Sequence, residues 1–285
     1  MARYPSSQWP LTRRITIMPF KEHFGFNILP FQRNQPVESL FETEEQIEAF
    51  ARLKYIAENK QFGILTAEPG TGKSTTLRKL AGSLNNKRYR VIYISDSYLT
   101  PRNFYTEALQ QLGHEPRFYR GDLRRQLQQA VTGMSESQGA YPVIITDEAH
   151  LFKREMYEEL RFLLNFEMDS FAPMSLILSG QTELRRLLKY PVYEAVAQRI
   201  NIRCHIGLFN RKLTGKYIYH QTTKAGAASA IFTDSAIDVI HESAQGVARK
   251  INNICSAILM QAHMLKQPLI DEGLSVSVIS SEFTT

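Results

Sequence analysis

Five short apolar runs, at 62–66, 91–95, 143–146, 176–179 and 202–208, punctuate the middle of the chain. Each is strand-sized and dominated by residues such as Ile, Val, Leu and Phe, which predicts a buried β-strand. The segments between them, 73–84, 101–112, 123–134 and 154–166, are long enough to act as helical crossovers. Strands alternating with helices predict a parallel sheet covered on both faces. Ahead of the first run, Ile47, Phe50, Ala51, Leu53 and Ile56 recur at helical spacing and predict a helix over 44–59 that leads into it. After Gly207 the strand pattern stops. Thr233 can cap a helix carrying Ile237 and Ile240, Gly246 breaks it, and Ile251, Ile254, Ile258, Ala262 and Leu265 form one face of the next. Residues 1–35 hold Trp9, Pro10, Phe24, Phe26, Pro30 and Phe31 with little periodicity, which suggests an extended arm laid over the core. The expected division is an N-terminal arm over 1–35, an α/β domain over 36–206 and a small all-α domain over 207–285.

A length of 285 residues suits one large domain with an appendage. With 43% hydrophobic and 22% charged residues, the composition is that of an ordinary soluble protein. No apolar run approaches the roughly 20 residues needed to cross a bilayer, so neither a membrane span nor a membrane partner is expected. The first residues carry Arg3, Arg13 and Arg14 without an apolar block and cleavage site, which argues against a secretory signal; Met18 is an alternative start. Cys204 and Cys255 lack the paired spacing of a zinc or redox site and are read as reduced, buried thiols in a cytoplasmic protein.

The chemistry is concentrated after the first strand. A triphosphate requires backbone N–H donors aimed at one point, a fixed cation, and a hydroxyl that can join a magnesium shell. The run Ala67-Glu68-Pro69-Gly70-Thr71-Gly72-Lys73-Ser74-Thr75 supplies all three between a strand and a helix, with Ala67 where such phosphate loops usually begin with Gly. Further on, the strand at 143–146 ends in Asp147-Glu148. Asp147, with Ser74, is expected to hold Mg²⁺, and Glu148 to orient and deprotonate the attacking water. The tetrad Asp147-Glu148-Ala149-His150 also spells a helicase signature, but those helicases need a second core domain for which the helical tail leaves no room. His150 is therefore read as incidental.

With both motifs placed, the chain from about Phe20 to Leu265 resembles the ExeA-like branch of AAA+ ATPases. The segment Phe20-Lys21-Glu22-His23-Phe24-Gly25-Phe26, with Pro30-Phe31 and Leu40-Phe41, is similar to that branch's N-terminal signature. The resemblance implies an AAA+ P-loop NTPase core, with a five-stranded parallel sheet flanked by helices and a C-terminal helical lid, and an arm whose Phe31 lies against the adenine of ATP. It implies that Gln181, in Ser179-Gly180-Gln181, is the sensor-1 contact to the γ-phosphate or water. It also implies that Arg199, in Gln198-Arg199-Ile200, is an arginine finger given to a neighbouring subunit. Gly246-Val247-Ala248-Arg249-Lys250-Ile251-Asn252 resembles a sensor-2 motif with Arg249 in register, although the family usually has Pro where Ala248 stands.

The branch contains secretion-linked members and transposition helpers of the TnsC kind. Secretion members typically continue into a membrane span and a peptidoglycan-binding region, neither of which follows here, so the resemblance favours a transposition helper. Such proteins form rings or helical filaments on double-stranded DNA and recruit a transposase, in some cases with a target-selector protein. The net charge of +6 and pI of about 9.2 agree with an acidic partner. Between Asn86 and Arg125, eight bases (Lys87, Arg88, Arg90, Arg102, Arg117, Arg120, Arg124, Arg125) face four acids (Asp96, Glu107, Glu115, Asp122). In transposition helpers the matching stretch tracks phosphates, which makes Arg102, Arg117 and Arg120, with Tyr98 and Tyr119, the candidate DNA contacts. The bland alternative is a solvated basic face. No base-reading motif is present, so weak sequence preference is expected. Two rival readings share the core: an ATPase for secretion or envelope assembly acting on protein, and a replication-type loader.

Overall fold

The computed structural model describes residues 20–32, 36, 39–96, 98–164 and 172–283. Arg3, Trp9, Pro10, Arg13, Arg14 and Met18 lie outside the described residues, as do residues 165–166 at the end of one expected helix. In chain order the elements are α1 (Phe20–His23), α2 (Glu44–Glu58), β1 (Phe62–Ala67), α3 (Lys73–Ser83), β2 (Tyr89–Ile94), α4 (Pro101–Gln111), α5 (Arg120–Gln138), β3 (Tyr141–Thr146), α6 (Arg154–Leu163), β4 (Ser175–Gly180), α7 (Glu183–Leu187), α8 (Glu194–Ala197), β5 (Ile202–Ile206), α9 (Arg211–Ala225), α10 (Asp234–Ala244), α11 (Ala248–Met264) and α12 (Glu272–Glu282).

All five apolar runs form one parallel sheet in the order β2-β3-β4-β1-β5. Burial follows position in that order. Every residue of β1 and β4 is buried, whereas the edge strands β2 and β5 are only partly buried. A strand covered on both faces needs apolar residues throughout, and an edge strand does not. Successive residues also face opposite sides, as strand geometry requires. Ile64, Ile144 and Leu176 join Phe104, Leu109, Leu123, Tyr157 and Leu160 from α4, α5 and α6, while Leu65, Ile145 and Ile177 join Leu53, Ile56, Leu77 and Leu80 from α2 and α3.

Several elements differ by a few residues from the sequence expectation, and two of the differences have a visible cause. Helix α5 starts at Arg120 and runs to Gln138, where Gly139 stops it in the left-handed conformation at φ 58°. Its polar first turn carries no apolar periodicity, which is why the pattern placed the start later. Strand β5 ends at Ile206, because the N–H of Gly207 turns to the Glu45 carboxylate at 2.8 Å and leaves the sheet ladder.

The chain divides into two compact units, 34–213 with 245–250, and 1–33 with 214–244 and 251–285. The first contains the sheet and its covering helices. In the second, the described arm is folded rather than extended: α1 forms one turn, and Phe26 N–H returns to Lys21 O at 2.7 Å. The N–H groups of Asn27 and Ile28 both donate to Ala225 O at the end of α9, and Phe26 and Phe31 are buried. Thr233 caps α10 by accepting the Ala236 N–H at 3.2 Å.

Candidate active site

The register of the sheet brings three strand ends together. Thr66 of β1 pairs with Gly180 of β4, and Thr146 of β3 pairs with Leu178. The loop after β1, the acidic pair after β3 and the residues closing β4 therefore share one edge, the carboxyl edge where ligands of open α/β sheets bind. In that loop Gly70 and Gly72 have φ of 85° and 107°, values a side chain with Cβ rarely adopts. The Thr71 side chain closes the turn by donating to Glu68 O at 2.8 Å and is 1% exposed. Helix α3 starts at Lys73 immediately after Gly72, so its first-turn N–H groups point out of the helix end towards the loop.

Lys73 Nζ lies 2.8 Å from Asp147 Oδ1 and 3.3 Å from Glu148 Oε1. Asp147 is 5% exposed, and both of its oxygens are held. Its Oδ1 also accepts from the Ser179 hydroxyl at 2.8 Å and the Glu148 N–H at 2.9 Å, and its Oδ2 accepts from the Tyr93 hydroxyl at 2.8 Å. Burial pushes the Asp147 carboxyl up, but Lys73, the Glu148 N–H and Ser179 together outweigh it and hold the group below the ordinary carboxylate range. The Tyr93 phenol is pushed well above its ordinary value by burial and by its bond to Asp147. Glu148 sits in the left-handed region at φ 52° and begins a short turn, Ala149–Leu151.

A sequence model of the AAA domain matches residues 56–188. Among solved structures, Cdc6p from Pyrobaculum aerophilum superposes with a TM-score of 0.64 at 18% identity, over 84% of this chain and 67% of that one. The chain has the AAA+ P-loop NTPase fold. The structure of Drosophila ORC bound to DNA superposes with a TM-score of 0.63 at 14% identity, covering 100% of this chain and 71% of that one. The RuvB Holliday junction branch migration motor of Thermotoga maritima follows at 0.55 and 17% identity, covering 83% and 69%. In sequence, the chain is 30% identical over 252 residues to general secretion pathway protein A of Aeromonas hydrophila. That match covers 85% of this chain and 45% of the relative, so the chain spans less than half of the relative's length.

The AAA+ edge described above has the donor set for a nucleotide and Mg²⁺. The curled loop and the first turn of α3 offer backbone N–H groups, Lys73 a cation, and Ser74 and Asp147 a hydroxyl and a carboxylate. Among the described residues no group of three or more His, Cys, Asp or Glu could hold a metal by itself. A magnesium ion bound by two protein oxygens, phosphate oxygens and water needs no such group.

Not every expected residue meets this edge in the same way. Gln181 contributes its main-chain N–H, which donates to His150 Nδ1 at 3.3 Å. The His150 ring that accepts this N–H is 8% exposed, and its Nδ1 lies 3.6 Å from Glu148 Oε2, so it packs between the end of β4 and the acidic turn. Arg249 meets the loop through its backbone, donating N–H to Gly70 O at 3.1 Å, with an exposed side chain. Arg199 is half-buried in the turn after α8, its N–H bonded to Val196 O at 3.1 Å. Phe31 belongs to the helical unit. Sequence reasoning overlooked Tyr93 and Ser179, which hold the Asp147 carboxylate. In the sequence Tyr93 is one residue of the second apolar run; only the pairing of β2 with β3, where it stands opposite Ile145, brings it to Asp147.

Of the basic window, Arg102, Arg117 and Arg120 lie around the starts of α4 and α5. The Arg102 guanidinium lies over the Phe118 ring at 5.0 Å, and Phe118 meets Tyr119 edge-to-face. Tyr98 and Tyr119 are 84% and 71% exposed. Arg117 donates its main-chain N–H to Gln126 and is exposed. Arg120 differs: its guanidinium bonds Glu155 at 2.6 Å and also the buried Glu159.

Proposed function

We propose that the chain is an ATPase that binds ATP with Mg²⁺ at this loop, oligomerises on double-stranded DNA as a ring or filament, and regulates transposition by recruiting a transposase. The observation that carries the enzymatic half is the contact of Lys73 with both Asp147 and Glu148 at the carboxyl edge of the sheet. In the proposed reaction Glu68 to Thr75 wrap the phosphates, and Lys73 leaves the carboxylates for the β- and γ-phosphate oxygens. Ser74 and Asp147 would hold Mg²⁺, which neutralises phosphate charge when bound. Tyr93 and Ser179 keep the Asp147 carboxylate turned towards that position. Glu148, freed from Lys73, accepts the proton of the attacking water, and Gln181 and Arg249 contact the γ-phosphate. Arg199 of a neighbouring copy stabilises the charge that develops on transfer, which makes the active form an oligomer.

Support for DNA is the exposed Arg102, Arg117, Tyr98 and Tyr119 surface, together with structural neighbours whose names include ORC bound to DNA and a Holliday junction motor. A cytoplasmic location follows from that role. Resemblance to general secretion pathway protein A favours a second reading, an ATPase that acts on protein in secretion or envelope assembly. Duplex DNA binding measured with ATP, with ADP and without nucleotide, over a salt series, separates the two. An ATP-dependent, salt-sensitive shift of duplex is expected. Absence of any shift at low salt overturns the DNA reading and leaves the second.

A further inference from the structure

Helix α2 starts against the phosphate loop, and one side chain joins the two. Thr43 and Gln46 form a capping box: the Gln46 N–H donates to Thr43 Oγ1 at 3.2 Å, and the Thr43 N–H donates to Gln46 Oε1 at 3.0 Å. This fixes which end of the Gln46 amide is oxygen. The remaining end, Nε2, donates to the main-chain carbonyl of Thr71 at 3.2 Å. Gln46 is 7% exposed, so that bond has little competition from water. Neighbouring residues hold the same helix start in place. Both oxygens of Glu42 lie 2.6 Å from Lys79 of α3, and Glu45 accepts the Gly207 N–H.

A trans peptide points its carbonyl and the following N–H in opposite directions. The peptide bond between Thr71 and Gly72 is trans. By holding Thr71 O on the α2 side, Gln46 turns the Gly72 N–H away from α2 and into the curl of the loop. The preceding carbonyl, Gly70 O, is held from another side by the Arg249 N–H. The closeness of Gln46 also explains the residue at 72. A Cβ there would stand 2.6 Å from Gln46 Nε2, in addition to the strain of a φ of 107°.

We propose that Gln46 is a positioning residue of the nucleotide site, which aims the Gly72 N–H at the β-phosphate by anchoring the carbonyl of Thr71. The inference rests on the nucleotide-binding reading above and adds a residue from outside the phosphate-loop motif. The test compares the parent with Gln46→Glu in the full chain. Glutamate keeps the acceptor that caps α2, because a capping box takes Glu or Gln alike, but it has no donor for Thr71 O. A hydrogen bond to a charged group is worth roughly ten- to a hundred-fold in affinity. Gln46→Glu is therefore expected to weaken ATP and ADP by a factor in that range and to leave AMP, which has no β-phosphate, unchanged. Unchanged ATP and ADP affinity overturns the proposal, and so does an equal loss for AMP, which would indicate general damage to the site. In the parent, the Gly72 amide proton resonance is expected to move downfield on adding ADP, and its failure to move overturns the proposal without any substitution. A parent that binds no nucleotide at all refutes the nucleotide-binding reading instead.

Discussion

Replacing Lys73 by Met removes an ammonium but keeps most of the side chain's volume, so its effect is electrostatic. Lys73 Nζ is 2.8 Å from a carboxylate that is itself almost fully buried, with a second carboxylate at 3.3 Å. Removing one partner of a buried pair costs about 3–5 kcal/mol, and the lower figure applies because Glu148 is a third exposed and retains water. A loss of about 3 kcal/mol lowers Tm by roughly 6–12 °C for a domain of this size. The loss depends on pH with a definite sign. In the parent, Lys73 holds the Asp147 pKa down, so the stability Asp147 contributes is present above the unfolded value of about 3.9 and fades as pH falls through the folded one. In the variant, burial acts on Asp147 without that opposition and raises its pKa, so acidification protonates it and relieves its repulsion with Glu148. The Tm gap between parent and Lys73→Met, measured without nucleotide, should thus be widest near neutral pH and narrow towards about pH 4. ATP should raise Tm in the parent and not in the variant. A gap that stays constant across that range refutes the electrostatic account, and an undiminished ATP effect refutes the assignment of Lys73 to the phosphates.

Tyr93→Phe, which deletes only the hydroxyl on Asp147 Oδ2, should raise the Mg²⁺ concentration needed for half-maximal turnover several-fold while leaving the saturated rate nearly intact; an unchanged Mg²⁺ curve removes Tyr93 from the site. Arg199→Ala should bind ATP but hydrolyse it poorly, and mixing it with Lys73→Met should restore part of the activity at shared interfaces; no restoration at any ratio excludes a finger given in trans. Replacing Arg102 and Arg117 together by Ala should reduce the slope of log affinity against log salt by about 2 for duplex DNA, and an unchanged slope marks the surface as merely solvated. Glu148→Gln should keep ATP and Mg²⁺ bound while turnover collapses, and its ATP-loaded oligomers should leave DNA more slowly than the parent's; equal off-rates would show that hydrolysis does not control release.

The sheet was legible because its strands are nearly unbroken apolar runs and its loop motif is contiguous, so Lys73, Ser74, Asp147 and Glu148 could be named from local sequence. Their convergence depends on strand order. Nothing local states that β1 lies between β4 and β5, or that β3 lies between β2 and β4. Ser179 and Tyr93 meet Asp147 through that order, and Gln46 meets the loop through helix packing: each is a polar residue at an element's end or outward face, a pattern shared by many solvated positions. Tyr93 reaches Asp147 because β2 pairs with β3, and Gln46 reaches Thr71 because the start of α2 packs beside the loop. The extent of α5 escaped for a different reason, since a polar first turn has helical geometry without helical periodicity.

The basic window shows why a count of charges along the chain differs from the field a partner meets. Of its eight bases, Arg125 pairs with Asp122 at 2.9 Å, Arg90 donates to Gln111 O at 3.1 Å, and Arg120 and Arg124 both face Glu159. Glu159 is 2% exposed and also accepts from the buried Tyr105 hydroxyl at 2.6 Å, so α4, α5 and α6 meet on one carboxylate. Taking a close cation from a buried carboxylate is destabilising, and Arg120 is the nearer of the two guanidinium groups on Glu159, which commits it to the fold before any phosphate can compete for it. Arg102 is in a different position, because its contact is the face of Phe118 and a cation over an aromatic ring keeps its outward N–H groups available. On this basis Arg102 and Arg117 are the candidates for the phosphate contacts of the proposed DNA reading. Arg120→Ala should lower Tm by more than it alters the salt dependence of DNA binding, and the opposite ranking would place Arg120 on the phosphates.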